Sequence, residues 1–172
     1  MKKKAYYIGG ISAILGLVLL DQFTKYLAVL HLKDQRPYII MERIFSLQYL
    51  ENRGAAFGMF ENQQIVFIIS TVLILSMIIY FFFKTPKERR FHPLLVAAVF
   101  VVAGAIGNCI DRLRLGYVVD FFYFEPINFP IFNVADCYIV VALFVFSFLL
   151  LFYYKEEELT FFTFSLKKKS KE

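Results

Sequence analysis

The chain has 172 residues, of which 59% are hydrophobic, and it carries a formal net charge of +5 with a mean hydropathy of +0.62. The apolar residues are concentrated in long runs, which excludes an ordinary soluble domain of this length. Basic residues flank the runs, so the positive charge indicates membrane topology and contact with anionic lipid, and it gives no reason to expect a nucleic acid partner.

Four apolar runs are long enough, or nearly so, to cross a hydrocarbon core of ~30 Å as helices, which takes roughly 20 residues each. The first run follows the basic start MKKK and has no small-residue cleavage site, so we predict a retained helix and not a removed signal peptide. A charged tail, residues 156–172, is expected to follow a four-helix domain, residues 1–155. The helices are predicted at about residues 5–27, 65–83, 93–110 and 134–154.

The lysines and arginines beside the helices predict the orientation of the chain. They cluster before the first helix, between the second and third, and after the fourth. The positive-inside rule then places both termini in the cytoplasm. Residues 28–64 and 111–133 are therefore expected to lie on the outer side of the membrane, and any chemistry is expected there.

The first outer segment is predicted to form a small sheet over about residues 36–58. In FSLQYLEN, apolar Phe45, Leu47 and Tyr49 alternate with polar residues, a period of two that is typical of a strand with one apolar face. The motif ENRGAAFG follows, and its glycines, Gly54 and Gly58, suit turns or a close approach of backbones. An ordinary loop that closes the sheet is an equally good interpretation of this motif.

Polar residues are rare in the first predicted helix and therefore informative. Asp21 and Lys25 lie four residues apart, with the acid before the base, so they share one face of the helix in its outer third. A mutually neutralised pair that holds helices together is favoured over a direct role in chemistry.

The third predicted helix carries a second group of polar residues at its outer end. Gly104, Asn108 and either Asp111 or Arg112 fall on one face, and Gly107 belongs to a small-xxx-small pattern through which another helix can approach. Asn108 can hydrogen-bond a carboxylate, and Arg112 can clamp one with two parallel hydrogen bonds. The group is predicted to be the scaffold of a polar site.

Two aspartates, Asp120 and Asp136, flank the aromatic stretch before the fourth helix. Asp120 lies in VVDFFYF with no basic residue within several positions, so desolvation is expected to raise its pKa. Asn133 and Asp136 have the pattern of a helix N-cap with a first-turn carboxylate, and capping alone could explain them. Capping does not explain Asp120. Asp136, near the positive end of a helix, is expected to have its pKa shifted the other way, and two carboxyls with opposed environments, held close together, can share one proton and act as an acid and a base.

Other catalytic designs fit the sequence less well. The motifs G-x-S-x-G and H-E-x-x-H do not occur, and the two histidines, His31 and His92, lie on opposite sides of the membrane in the predicted topology. A histidine-based metal site or triad is therefore not expected, and neither is another cofactor. Cys109 and Cys137 are both near the outer surface, where a disulfide is conceivable, but a role as small packing residues is favoured.

Five motifs together resemble the lipoprotein signal peptidase family, also called signal peptidase II. Each motif is weak alone, but their order and spacing on a four-helix chain of this size are specific, and they extend from the first helix to the fourth. They are DQFTK at 21–25, ENRGAAFG at 51–58, GNCIDR at 107–112, VVDF at 118–121 and FNVAD at 132–136.

This resemblance implies an all-α integral membrane protein with four transmembrane helices, a small extracytoplasmic β-cradle and an outer lid over about residues 113–132. It implies an aspartic endopeptidase of the bacterial cytoplasmic membrane that acts as a monomer among membrane lipids, with Asp120 and Asp136 as its catalytic pair. The substrate would be a prolipoprotein cleaved N-terminal to a cysteine that bears a diacylglyceryl group. The supporting residues implied are Asp21, Lys25, Asn52, Gly54, Asn108, Asp111, Arg112 and Asn133.

The small residues near Asn52 and Gly104, Ala56 among them, are expected from the resemblance to leave room for the small side chains that such substrates carry before the cysteine.

Three other classes of function share some of these sequence features. Intramembrane charges also mark transport pathways, but four helices without an internal repeat and with the ionisable groups at one face argue against a transporter. A metal-assisted enzyme acting on lipid headgroups would use the same carboxylates as Mg²⁺ ligands, and it would lose activity with a chelator. A purely structural membrane subunit is disfavoured by the five motifs.

Overall fold

The computed structural model describes residues 2–54 and 63–162, and four long helices dominate it. All four contain windows apolar enough to cross a membrane, which confirms the predicted four-helix membrane architecture. The last helix continues through a π-helical turn, Leu149–Tyr153. The helices are α1 (Lys2–Leu32), α2 (Gln64–Lys84), α3 (His92–Leu115) and α4 (Val134–Phe148).

Two of the helices extend about five residues beyond their predicted outer ends. The last turns of α1 continue because Ala28 and Leu32 are buried against the sheet and are no longer limited by the thickness of a bilayer. The α3 helix continues to Leu115 and ends at Gly116, whose φ of 77° is the left-handed conformation that glycine adopts readily at a helix end. Both extensions bring polar residues of the helices up to the sheet.

A three-stranded antiparallel sheet covers this end of the helices, with β2 between its neighbours. Its strands are β1 (Tyr38–Met41), β2 (Phe45–Asn52) and β3 (Val118–Phe124). The first two strands confirm that this segment contributes to a small sheet. The third lies within the segment predicted as a lid and was not itself predicted, although its β-branched and aromatic residues suit a strand.

The α3 helix is the centre of the bundle, since α1, α2 and α4 all pack against it. By contrast, α2 contains no buried residue. The contacts among α1, α3 and α4 use small residues. Examples are Ala103 and Ala135, which are fully buried. Close backbone approach through small residues is a usual way to pack helices in membranes.

Gly104 and Gly107 set the distance between α3 and its neighbours. A Cβ atom on Gly104 would lie 2.5 Å from the carbonyl oxygen of Ala135 and 2.7 Å from Cγ1 of Ile139. On Gly107 it would lie 2.5 Å from Oδ2 of Asp21. The predicted close approach at this face of the third helix is therefore confirmed, and it involves both α4 and α1.

The other end of the bundle is closed by a contact between the turn before α3, Arg89–Phe91, and the chain after α4. Arg90 donates from Nε and Nη2 to the two carboxylate oxygens of Glu158, at 2.9 Å and 3.1 Å, and its guanidinium lies 4.0 Å from the ring centre of Tyr153. Leu159 packs against a buried apolar cluster that includes Phe91 and Leu149. The start of the predicted charged tail is thus in contact with the helices, whereas residues 163–172 lie outside the described part of the chain.

Replacing Gly104 with alanine should destabilise the bundle, because the new methyl group would collide with the backbone of α4. Overpacking of this kind typically costs about 1–3 kcal/mol, so a clear fall in the melting temperature of the purified protein in detergent is expected. Gly16→Ala is the matched control, since its Cβ would meet no atom within 4 Å. Equal melting temperatures for the two variants would contradict this account.

Candidate active site

The two predicted catalytic acids come from different elements and meet at Asn133. Asp120 lies on β3 and is only 1% exposed, while Asp136 is in the first turn of α4. Nδ2 of Asn133 donates to Oδ1 of Asp120 at 2.6 Å, and the backbone N–H of the same residue donates to Oδ2 of Asp136 at 3.1 Å. One asparagine therefore holds both carboxyls, although sixteen residues separate them in the sequence.

The second oxygen of Asp120 is bound by the neighbouring strand. Nδ2 of Asn52, at the end of β2, donates to Oδ2 of Asp120 at 2.8 Å. The Asn52 side chain is itself held, because its Oδ1 accepts from the backbone N–H of Gly54 at 3.0 Å. Each oxygen of Asp120 thus accepts a hydrogen bond from a neutral amide, and neither of these donors is a cation.

This environment makes Asp120 an unusually weak acid. Burial raises its pKa to about 7, and the nearby charge of Asp136 acts in the same direction. The hydrogen bonds from Asn52 and Asn133 favour the charged form and oppose the shift, but they do not cancel it. The upward shift predicted from the sequence is confirmed, so this carboxyl can hold or release a proton near neutral pH. The opposed environment predicted for Asp136 is wrong, because burial desolvates that carboxyl as well.

Asp136 is positioned by the helix cap that the sequence pattern predicts. The side chain of Asn133 accepts from the backbone N–H of Asp136 at 3.0 Å, and the Asp136 carboxylate accepts from the backbone N–H of Asn133, which together form a capping box. The other carboxylate oxygen accepts from Nδ2 of Asn108 at 2.8 Å. Helix capping and a role in the candidate site are therefore compatible, because the cap holds the carboxyl of Asp136 in place.

Asn108 joins the acids to a buried cation. Its Oδ1 accepts from Nζ of Lys25 at 2.8 Å and from Nδ2 of Asn133 at 3.1 Å. A lysine ammonium can only donate, so the amide oxygen of Asn108 must face Lys25 and its NH₂ must face Asp136. The lysine thereby fixes which end of the Asn108 amide is presented to the carboxylate.

Lys25 is almost fully buried between two aspartates. Its Nζ lies 3.0 Å from Oδ2 of Asp21 and 2.9 Å from Oδ2 of Asp111, and the side chains of all three residues are less than 5% exposed. Asp21 also accepts from the backbone N–H of Ala135 at 3.0 Å, and Asp111 accepts from that of Val119 at 3.2 Å. The favoured structural interpretation is confirmed, and the triad links α1, α3, α4 and β3 directly behind the acids.

Gln22 is a residue of this network that the sequence analysis missed. Its Nε2 donates to Oδ1 of Asp111 at 2.9 Å and to the carbonyl oxygen of Gly107 at 3.2 Å. Its position beside Asp21 in an otherwise apolar run was the available signal. The side chain supplies a neutral donor to the carboxylate oxygen that Lys25 does not reach.

Arg112 does not make the two-pronged carboxylate contact that was predicted. Its guanidinium lies 4.8 Å from the ring centre of Phe67 on α2, and among the described residues it forms no ion pair within 4.0 Å. It is still close enough to Asp136 and Asp120 for their charges to act on it. Arg112 therefore borders the site from the side of α2 without binding either acid.

The expected space for small substrate residues is not found beside Gly104. Ala135 and Ile139 already occupy the volume that a side chain there would need, so that expectation is wrong for this position. Ala55, Ala56 and Gly58 of the ENRGAAFG motif lie outside the described residues.

The candidate metal ligands and the two cysteines form neither a metal site nor a disulfide in the described part of the chain. Within residues 2–54 and 63–162, no three side chains of His, Cys, Asp or Glu gather in a way that could hold a metal ion. Cys109 and Cys137 are free thiols and do not form the disulfide that the outer location made conceivable.

Removing the buried cation should destabilise the protein strongly. Lys25→Met would leave Asp21 and Asp111 as close, uncompensated buried carboxylates, and breaking a buried pair in this way typically costs about 3–5 kcal/mol. A large fall in melting temperature in detergent is expected. Lys33→Met is the control, because Lys33 forms an exposed pair with Glu51 at 3.1 Å whose loss should leave the melting temperature nearly unchanged. Similar effects of the two substitutions would refute the role assigned to Lys25.

Comparisons with known proteins agree with this geometry. Residues 13–152 match the family described as Signal peptidase (SPase) II. The lipoprotein signal peptidase of Caldanaerobacter subterraneus subsp. tengcongensis is 46% identical over 137 residues, which cover 79% of this chain and 91% of that protein. The lipoprotein signal peptidase of Streptococcus pyogenes serotype M1 is 41% identical over 160 residues, or 92% and 98% of the two chains. A solved bacterial membrane enzyme, 30% identical, superposes with a TM-score of 0.76 over 95% of this chain and 93% of its own. The chain belongs to the signal peptidase II family.

Proposed function

We propose that this protein is an aspartic endopeptidase that removes the signal peptide from prolipoproteins. It cleaves on the N-terminal side of a cysteine that carries a diacylglyceryl group, at the outer face of the bacterial cytoplasmic membrane. The observation that carries the proposal is the pair of carboxyls, Asp120 and Asp136, held by one asparagine. The substrate class is supported by relatives named lipoprotein signal peptidases.

In the proposed mechanism, the two acids share the work of a general base and a general acid. One ionised carboxyl takes a proton from a water molecule, which then attacks the scissile carbonyl carbon. The other carboxyl, protonated, donates a hydrogen bond to the carbonyl oxygen and later helps to protonate the leaving amine. A pKa of about 7 at Asp120 supports the retention of one proton by the pair near neutral pH. The two groups titrate as a coupled pair.

The surrounding amides suit this mechanism because they orient both carboxyls without neutralising them. Asn52, Asn108 and Asn133 all donate to the acids, and an amide donor brings no net charge. Lys25 makes no direct hydrogen bond to Asp136, because the Asn108 amide lies between them. A direct lysine or arginine pair would hold one acid permanently ionised and would disfavour the shared proton.

The distribution of basic residues supports an outer location for the acids. Lys84 ends α2 and Arg89 precedes α3 at the end of the bundle opposite to the sheet. The positive-inside rule places that end, together with both termini, in the cytoplasm. The sheet, Asp120 and Asp136 then lie at the extracytoplasmic surface.

We assign residues 1–155 to a monomeric peptidase domain, with a β-cradle at about residues 36–58 and a lid at about residues 113–132, and residues 156–172 to a charged tail. Since β3 carries Asp120 and pairs with β2, a lid movement cannot include this strand without displacing the catalytic acid. The backbone of Phe132 is also tied to Phe122. Opening of the lid is therefore confined to residues 125–131.

Removing either carboxyl should abolish cleavage while the protein still folds. Asp120→Asn and Asp136→Asn are each expected to lower the rate by roughly 10²–10⁴-fold, because an amide can neither accept nor return the proton. The assay is cleavage of a diacylglyceryl-modified prolipoprotein by purified enzyme in detergent with excess chelator. Asp34→Asn is the control, since Asp34 is exposed in a turn with a φ of 59° that asparagine also adopts readily.

The chelator separates the aspartic mechanism from the metal-assisted alternative. Near-full cleavage by folded Asp120→Asn or Asp136→Asn would refute the proposed pair. Wild-type activity that disappears with the chelator would indicate a metal enzyme.

The rate should also fall as the pH rises through about 7, where Asp120 loses its proton. The folded pKa lies above the ordinary value for an aspartate, so stability from this group declines only between about pH 4 and 7 and is level above that range. The cleavage rate and the melting temperature, measured from pH 5 to pH 9, should therefore respond differently above about pH 7. There the rate falls, whereas this group no longer changes the melting temperature. A flat rate across this range would contradict the role of the Asp120 proton.

A further inference from the structure

The sheet has an apolar region at its end remote from the acids, and this region is not accounted for by the proposed chemistry. All four residues of β1 are exposed, on both faces of the strand, and all four are apolar or aromatic. An edge strand in water normally carries charged or polar residues that prevent aggregation. The composition of β1 therefore indicates a surrounding medium other than water.

A distant part of the chain enlarges this region. Phe45 at the start of β2 pairs with Phe124 at the end of β3, and the backbone N–H of Glu125 donates to the carbonyl oxygen of Ile44 at 3.0 Å. The turn between β1 and β2 thus lies beside the segment that follows β3. We call the resulting surface the apolar tip; its residues are 37% to 69% exposed, and they are Ile39, Ile40, Met41, Ile44, Phe124 and Ile127.

The size of the apolar tip requires a partner. Six large apolar side chains, each more than a third exposed and contributed by neighbouring segments, exceed what the surface of a water-soluble protein usually leaves uncovered. The nearby acid Glu125 is turned inward, where its Oε1 accepts from the hydroxyl of Ser46 at 3.2 Å. The tip therefore presents apolar atoms with few charges among them.

We propose that the apolar tip is inserted into the boundary between headgroups and acyl chains of the outer leaflet. The insertion itself does not depend on the proposed peptidase activity. The first support for the insertion is that the apolar tip continues the lipid-facing surface of the helix bundle. Leu32 ends α1, and the six residues from there to Tyr38 can span at most about 20 Å, so the tip cannot lie far from the membrane surface.

The residues at the border of the tip match the same boundary. Arg36 precedes β1 and Arg43 lies in the turn after it, and both are exposed. Their positions on either side of the apolar run suit contact with lipid phosphates, and Glu42, beside Arg43 in the same turn, is exposed as well. Tyr38 begins the strand, and tyrosine is enriched at the interface between membrane and water.

Insertion would fix the depth of the active site. The strands that form the tip also carry the acid and its partner, since Leu50 of β2 pairs with Asp120 of β3, and Asn52 follows on β2. A sheet held at both ends, by the α1 helix and by lipid, keeps Asp120 at one height relative to the bilayer. A substrate anchored by acyl chains presents its scissile bond at one height as well.

The absence of tryptophan from the sequence allows a direct test of insertion. Single tryptophans would be introduced as Ile40→Trp and Met41→Trp at the tip, as Phe144→Trp on the lipid-facing side of α4, and as Gln35→Trp in the exposed turn after α1. The variants would be reconstituted in liposomes of phosphatidylcholine and phosphatidylglycerol. Fluorescence quenching would be compared for phosphatidylcholine brominated near the headgroup and for aqueous acrylamide.

Both tip variants should be quenched by the brominated lipid, as Phe144→Trp is, and should be less accessible to acrylamide than Gln35→Trp. A tip tryptophan that behaves like Gln35→Trp would overturn the proposal. Protection from both quenchers would overturn it too, because the tip would then be covered by protein, either residues 55–62 or a second copy of the chain.

A second measurement tests the consequence for the active site. Ile40→Asn should lower cleavage several-fold in liposomes and leave it nearly unchanged in detergent micelles, where no bilayer sets the depth. Equal activity of this variant and the wild type in liposomes would refute the role in depth. The quenching result is independent of activity, so failure of the peptidase proposal would remain distinguishable from failure of insertion.

Discussion

The buried ammonium group of Lys25 is the interaction on which the rest of the structure depends. It forms ion pairs with both Asp21 and Asp111 in a place where unpaired charges would be prohibitive, and those two carboxylates in turn accept hydrogen bonds from backbone N–H groups of α4 and β3. The glycine at position 107 is required by the same arrangement, since only a residue without a Cβ lets Asp21 reach α3. One charge cluster therefore brings together the elements that carry the two acids.

The separation between structural and catalytic charge is the second constraint. Lys25 is already bound by two carboxylates, and the two acids proposed as catalytic receive hydrogen bonds from three neutral asparagine side chains and one backbone N–H. If the lysine contacted either acid directly, its charge would favour the ionised form of that acid and would disfavour the proton that the pair is proposed to share at neutral pH. Asn108 prevents this contact because its amide stands between Lys25 and Asp136.

The sequence predicted the parts of this architecture that depend on local pattern or on a known set of motifs. Apolar run length was sufficient for the four helices, alternation for β2, and the asparagine and acid spacing for the cap at Asn133. It could not predict β3, because VVDFFYF reads equally well as an interfacial segment until β2 is available for pairing. Nor could it predict that Asp111 shares Lys25 with Asp21, or that Gln22 joins them, since these contacts connect residues more than 80 positions apart.

Arg112 shows why motif position alone does not define a residue's contacts. Its place one residue after Asp111 suggested a carboxylate clamp, but the helix turns its guanidinium toward Phe67 on α2. The α2 helix is also the one of the four long helices without a buried residue, so Arg112 faces the most loosely packed helix of the bundle. If the substrate of the proposed reaction enters from the membrane as an apolar helix, the side of α2 is where its entry would disturb the fewest buried side chains.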